Sequence, residues 1–425
     1  MGALFSASHF PVPRAPYNVK RLKELKHFDQ LHPKKDLVTN LSDTKAPAEY
    51  ADLEGGPLGD LPVPEPVPDL DAYLRERQLC LSRSPERMRN YETYIRSARR
   101  SATVDYLPIR LDFENVSRCN FACIMCPVSE WPKGKRAADM PFAAFKRIID
   151  EQFGLVEIKV QGLGEPTIQG NDYFEMIRYA RAQNIWVRTT TNASLLHVKD
   201  NYQKLVDSGV NEIQISIDGA DKQTFEAIRR HSKFERVVSN CKLINAYCKE
   251  KGTERTKMWT VVQKGNHHQL PQLVDLAHEM GFRSVAFSLN MNDWGTEHWK
   301  NINDAVTVEG RFTRTEAEQL MAQGAEAGIK VSFWNVTNKY TTDSAKNLCP
   351  WPFERAYVSS DLRVVPCCII ANPDVLEVGV IDKDFTSVWK GEMMMKFREA
   401  HLLGEIPDVC AFCYKNKKQI WATAA

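Results

Sequence analysis

At 425 residues, with 43% hydrophobic and 26% charged side chains, the chain has the composition of a folded globular protein of two or three units. A net charge of +2 gives no electrostatic case for nucleic acid or a membrane surface. No apolar run approaches the roughly 18 residues that span a bilayer, and no secretory apolar stretch opens the sequence.

Residues 1–70 hold many backbone breakers. Met1-Gly2-Ala3-Leu4-Phe5-Ser6 fits an N-myristoylation pattern formally, though so short a match is cheap. Pro11, Pro13 and Pro16 follow, and Gly55-Gly56-Pro57 leads into Leu61-Pro62-Val63-Pro64-Glu65-Pro66-Val67-Pro68. Such a run favours extended polyproline-like backbone, here an arm expected to lie on the main body. From Leu70 to Ser101, Tyr73, Leu74, Leu79, Met88, Tyr91, Tyr94 and Ile95 recur at helical spacing. Cys80 on that stretch reads as a packed thiol.

An alternation then begins. Strand-like runs at Leu107–Phe113, Leu155–Val160, Ile185–Thr191, Glu212–Asp218, Lys257–Val262 and Ser284–Leu289 are separated by helical segments. The helical segments are Phe142–Gln152, Tyr173–Gln183, Lys199–Ser208, Thr224–Arg229 with Phe234–Lys249, and Gln269–Met280. Cys241 and Cys248 share one face of the Phe234–Lys249 helix and read as core. Strand–helix alternation argues a parallel α/β sheet, and right-handed crossovers curl it toward a barrel. A closed barrel wants eight units, and six are counted.

The chemistry concentrates in cysteines. Of the eleven, Cys119, Cys123 and Cys126 lie within eight residues, spaced C-x3-C-x2-C, just after the first strand. Three thiolates leave one position of a four-ligand site open. Core thiols, or a redox or zinc pair with an incidental third cysteine, are the plainer readings. The spacing resembles the signature of the radical S-adenosylmethionine (SAM) superfamily. That resemblance implies a partial (β/α)6 TIM-like barrel and a [4Fe–4S] cluster whose open iron is chelated by SAM.

Further stations follow in the family's order. Gln161-Gly162-Leu163-Gly164-Glu165-Pro166-Thr167 resembles the Gly-Gly-Glu-Pro element, with Leu163-Gly164 where two glycines are usual. Thr191-Asn192 resembles the start of a Thr-Asn-Gly element. Ser216 and Asp218 close the fourth strand, and Arg229 follows on the next helix. The resemblance implies SAM contacts from these positions, with Ser216 and Arg229 on its ribose hydroxyls and carboxylate and Met125 against its adenine. Asp218-Gly219 reads equally well as a turn and helix cap.

Past residue 340 the pattern changes. Cys349, the Cys367-Cys368 pair, and Cys410 with Cys413 as C-x2-C resemble the SPASM/twitch region of such enzymes. The full version carries about seven cysteines for two clusters; five here imply one auxiliary [4Fe–4S] cluster on Cys349, Cys367, Cys410 and Cys413. Cys367 is preferred because it follows Pro366 directly, which leaves Cys368 pointing the other way along a strand. Structural zinc is the alternative occupant.

The expected organisation is therefore an irregular N-terminal extension over 1–104, a barrel over 105–340 and a small iron–sulfur domain over 341–425. The resemblance implies cleavage of SAM to a 5′-deoxyadenosyl radical that abstracts hydrogen from carbon, giving dehydrogenation or epimerisation. Candidate catalytic residues are Cys368 as hydrogen donor, with Asp293 and His298 in the polar, aromatic segment Asn290–Trp299. That segment suits a small polar substrate such as a sugar, aminocyclitol or nucleotide-linked carbohydrate. A peptide or protein side chain is the main alternative, and a non-catalytic iron–sulfur electron carrier is the alternative of another class. The expected partner is an electron donor such as flavodoxin or ferredoxin, and clustered rather than spread cysteines favour the cytoplasm.

Overall fold

The computed structural model describes residues 61–132 and 138–415. The proline-rich start of the arm, with the Met1–Ser6 and Gly55–Pro57 stretches, lies outside the described residues.

Two helices come first. α1 (Leu70–Leu81) is capped by Asp69, whose carboxylate accepts from Ala72 N at 2.7 Å, and α2 (Pro85–Ser97) by Ser84, with proline at its first position. The six expected strands are present as β1 (Arg110–Phe113), β3 (Glu157–Val160), β4 (Trp186–Thr191), β5 (Glu212–Ser216), β7 (Thr256–Val261) and β8 (Ser284–Ser288). A short antiparallel pair, β2 (Ala122–Cys123) with β6 (Arg229–Arg230), stands apart from them.

The sheet is longer than the alternation predicts. β9 (Lys330–Trp334) pairs in parallel with β8, and β10 (Arg355–Val358) pairs in parallel with β1. β11 (Arg363–Val365) and β12 (Gly379–Val380) then extend it antiparallel. The spatial order is β12-β11-β10-β1-β3-β4-β5-β7-β8-β9, so the sheet begun in the barrel runs on into the C-terminal region. β10 and β11 are three or four residues long and owe their strand character to neighbours far away in sequence, which local periodicity cannot register. No helix among the described residues is long and apolar enough to cross a membrane.

Parallel strands covered on both sides usually read as continuous apolar runs. Here they alternate. Leu111, Ile158, Val187, Ile213 and Met258 form the fully buried apolar face. The opposite face is charged, and at the N-terminal ends of the strands it forms a ladder. Glu157 reaches Arg110 at 3.4 Å and Arg188 at 3.0 Å, while Glu212 reaches Arg188 at 3.7 Å and Lys257 at 3.3 Å. These pairs make the floor of the barrel.

The arm is fastened across that floor. Phe333 N donates to Pro62 O at 2.8 Å, Val67 N to Glu212 Oε2 at 3.2 Å, and Lys257 Nζ to Glu65 O. Prolines supply carbonyl acceptors without backbone donors, so the segment docks through the oxygens of Pro62 and Glu65, with Val67 N as its one donor among these three contacts. Cys80, Cys241 and Cys248 are buried, as packed thiols.

Candidate functional site

The cysteine loop lies over the C-terminal ends of the strands and is tied down at several points. β2 and β6 set Cys123 opposite Arg229, and Ile124 N donates to Ile228 O at 3.0 Å. Asn120 donates to Ser194 Oγ at 2.8 Å and accepts from Asn192 Nδ2 at 3.0 Å. Donors are directed at sulfur: Phe121 N at 3.4 Å and Asn192 Nδ2 at 3.8 Å from Cys119 Sγ, and Arg229 Nη1 at 3.9 Å from Cys123 Sγ.

The glycine turn packs directly on this loop. A Cβ at Gly164 would stand 2.4 Å from Val116 O and 2.5 Å from Arg118 O, so no other residue fits that crossing. Glu165 N donates to Arg118 O at 3.0 Å. The Glu165 carboxylate is buried and accepts from Thr167 Oγ1 and Thr191 Oγ1, both at 2.7 Å, and from Asn192 N at 2.7 Å. Burial raises its pKa, and these donors act against that rise. Its role is thereby a brace joining the glycine turn to the end of β4. Asp218 is fully buried, holds Arg229 Nη2 at 2.7 Å and accepts from Val261 N at 2.8 Å.

The second cysteine group is built from three chain segments. Tyr414 Oη accepts from Cys349 N at 2.8 Å, Tyr340 N donates to Cys413 O at 2.9 Å, and Cys410 N to Pro407 O at 2.8 Å. Cys349, Cys410 and Cys413 pack together on the apolar cluster Leu348, Ile406 and Tyr414. Cys367 lies within electrostatic reach of all three. Cys367 and Cys368 follow β11 in a turn and their thiols hydrogen-bond each other, so strand alternation does not point Cys368 away; Cys368 also lies within electrostatic reach of Asp112 and Lys159 of the barrel.

Both groups border one cavity of about 410 Å³. Cys119, Cys123 and Cys126 line one side, and Cys349, Cys367, Cys368 and Cys413 another. Met125, Gly162, Leu163, Gly164, Glu165, Thr191, Asn192, Ser216 and Arg229 also line it. The cavity wall does not include Asp218, which stands behind Arg229, nor Cys410, which is packed among its neighbouring thiols.

Two candidate catalytic residues are misplaced by sequence reasoning. His298 is exposed, bonds Glu130 Oε2 at 2.8 Å and lies off the cavity wall. Thr296 caps the helix α3 (Glu297–Val306) through Trp299 N, and the first turn of that helix presents His298 to solvent. Asp293 also lies off the wall, accepts from Gly295 N at 2.9 Å and sits near Cys410 and Cys413. Missed instead were Asp112, Lys159, Gln214, Trp259, Trp334 and Tyr357, which line the cavity between the two cysteine groups. For Asp112, Lys159, Gln214 and Trp259 the signal was the alternation of polar or aromatic with apolar residues inside the expected strands; Trp334 and Tyr357 lie on β9 and β10, which that alternation does not predict.

The donor chemistry fits iron–sulfur groups. Burial pushes the Cys126 and Cys349 thiols up to about 12, so these sulfurs hold a negative charge only against a metal centre. N–H donors and a guanidinium directed at sulfur are the contacts that such clusters use. Among the described residues, no three His, Cys, Asp or Glu side chains converge as they do around a single metal ion.

Comparison with known proteins agrees with this arrangement. Residues 116–277 match the Radical SAM superfamily, and residues 349–414 the SPASM iron–sulfur cluster-binding domain. Mycofactocin maturase MftC of Mycolicibacterium smegmatis is 26% identical over 312 residues, covering 72% of this chain and 75% of the relative. PqqA peptide cyclase of Gluconobacter oxydans is 24% identical over 321 residues, covering 74% and 84%. The crystal structure of Streptococcus suis SuiB bound to precursor peptide SuiA superposes with a TM-score of 0.55 at 15% identity, over 88% of this chain and 80% of that one. The chain therefore belongs to the radical SAM superfamily and carries a SPASM-type iron–sulfur domain, with a SAM-binding [4Fe–4S] cluster and an auxiliary cluster as its cofactors.

Proposed function

We propose that this radical SAM enzyme modifies a side chain of a peptide or protein, rather than the sugar-like metabolite that the polar loop at 290–299 first suggests. The observation that carries this reading is its similarity to a peptide cyclase, and to a mycofactocin maturase, each over about three-quarters of its length. A peptide-bound structure of the same fold supports it. The cavity supports it too: Trp259, Trp334 and Trp351 offer apolar walls for a side chain, and Asp112, Lys159 and Gln214 offer partners for peptide groups.

In this reading Cys119, Cys123 and Cys126 hold the SAM-binding cluster, and Cys349, Cys367, Cys410 and Cys413 hold one auxiliary [4Fe–4S] cluster. When bound, cluster and SAM supply a 5′-deoxyadenosyl radical able to take hydrogen from an unactivated carbon. The chain's own residues position and shield. The backbone of Gly162–Gly164 and the side chains of Thr191, Asn192 and Ser216, all on the cavity wall, would hold SAM, and Met125 would meet its adenine. Arg229, aligned by Asp218, presents a cation to the carboxylate of SAM. Cys368 is the candidate hydrogen donor that lies on the cavity wall. A flavodoxin- or ferredoxin-type protein is the proposed electron source, and eleven cysteines with none in a disulfide suit a reducing cytoplasm.

The test uses protein reconstituted anaerobically and supplied with SAM and dithionite. Peptides encoded beside its gene and a panel of sugars and aminocyclitols are offered in separate reactions. A rise in 5′-deoxyadenosine together with a mass change in a peptide is expected; stimulation by the sugar panel alone overturns the peptide reading.

A further inference from the structure

One apolar body touches both halves of the cavity. Its buried members are Leu163, from the glycine turn, Tyr357 and Val365, from β10 and β11, and Ile370, Ala371 and Val409, from the C-terminal region. Val128 and Trp131, which follow Cys126, pack on it from the cysteine loop. Cys367, Cys368 and Cys410 pack on it from the other side. Leu163 occupies the position where this chain departs from the paired glycines of the resembling element, and its side chain is only 9% exposed within that cluster.

Trp294 adds a second link. Its indole Nε1–H donates to Met125 O at 3.0 Å, between two cysteines of the loop, while its ring packs on the same cluster. Its backbone is left-handed, with φ at +52°, and Gly295 follows at +71°. A Cβ on Gly295 would approach Val375 Cγ1 at 3.0 Å, so this bend is wedged against the C-terminal region. A non-glycine residue keeps such a conformation only where its surroundings impose it.

We infer that Leu163 and Trp294 are positioning residues that couple the two cysteine groups, so that the packing around the auxiliary group sets the geometry of the SAM turn and the cysteine loop. This rests on the functional reading above. A close-packed apolar joint shifts as a unit, and movement of Ile370 and Val409 is passed to Leu163 and Trp294. Coupling is reciprocal: whatever the auxiliary group does for SAM affinity, SAM does for retention of the auxiliary group.

The experiment measures SAM affinity by equilibrium dialysis. It also follows the electron paramagnetic resonance spectrum of the reduced SAM-site cluster with and without SAM, and the rate at which a ferrous chelator strips iron. In wild type, SAM slows iron loss from its own cluster directly and from the auxiliary group through the joint, so both shares of the iron are protected. In Leu163→Gly and Trp294→Phe, SAM binds about tenfold more weakly, its effect on the spectrum is altered, and its protection of the auxiliary iron disappears. Leu163→Met, which refills the joint, restores all three, whereas a merely unstable variant loses iron from both sites regardless of SAM. The coupling is overturned if both variants match wild type in SAM affinity and in protection by SAM. A wild type that binds no SAM overturns the functional reading instead.

Discussion

The guanidinium of Arg229 meets the carboxylate of Asp218 at 2.7 Å with both side chains almost fully enclosed, and the other side of the guanidinium lies 3.9 Å from Cys123 Sγ. Two groups chosen from sequence as parallel contacts to one cofactor are thus paired with each other, Arg229 on the cavity wall and Asp218 behind it. Burial alone lowers the arginine pKa, but Asp218 and the nearby thiols outweigh that and raise it. Replacing Asp218 with asparagine keeps the shape and the acceptor for Val261 N but leaves a buried cation without its anion. Such a loss costs about 3–5 kcal/mol. The urea midpoint of Asp218→Asn is expected to fall accordingly, and a change under about 1 kcal/mol would contradict the pairing.

Much of the site was legible because it is local. The cysteine spacing, the glycine turn and the C-x2-C near the end each sit within a few residues. What escaped is nonlocal. Trp294 and Met125 are 169 positions apart, and nothing near Trp294 announces either its left-handed backbone or its partner. β10 is a strand because β1 lies beside it. His298 was misjudged for a different reason: Thr296 is a helix-capping residue, and in the helix it starts Trp299 takes the buried side while His298, one position earlier, falls on the solvent side, a signal present in the sequence and overridden by the loop's composition.

Glu212 links the barrel floor to the arm. Burial raises its pKa, yet Lys257 and Arg188 outweigh that and hold the carboxyl below its ordinary range. Its Oε2 also accepts from Val67 N at 3.2 Å. Glu212→Gln removes the charge between two buried cations, at a cost of about 3 kcal/mol, and loosens the arm. Hydrogen–deuterium exchange of the Val67 amide, read by mass spectrometry, is expected to become several-fold faster. Unchanged exchange would mean that the arm is held by Pro62 and the Glu65–Lys330 pair at 2.7 Å.

Leu362 closes the tight turn between β10 and β11 with φ at +65°. Its N–H donates to Ser359 O at 2.9 Å, and its carbonyl accepts from Ile381 N at 2.9 Å, so the conformation is fixed from both sides. A leucine there carries a steric cost of roughly 1–2 kcal/mol that asparagine largely avoids. Leu362→Asn is expected to stabilise the protein by about 0.5–1 kcal/mol, allowing for lost apolar contact. Destabilisation by denaturant titration would show that the half-buried leucine side chain outweighs the strain.

His401 supplies a pH dependence whose sign can be worked out. It is 1% exposed; its Nδ1–H donates to Phe397 O at 2.8 Å, and its Nε2 has no hydrogen-bond partner among the described residues. Burial lowers its pKa from 6.5 to about 4. The unfolded chain therefore binds a proton at this site between those values and the folded chain does not. The contribution is fully present above pH 6.5 and is lost as the pH falls toward 4, about 2 kcal/mol of it by pH 5. His401→Phe keeps the ring contacts with Phe397 and Tyr414 while removing the titrating group. Denaturant titrations from pH 7.5 to 5 are expected to show a shallower loss of stability in the variant than in wild type. Parallel losses would mean that this histidine takes up its proton in the folded protein as readily as in the unfolded one.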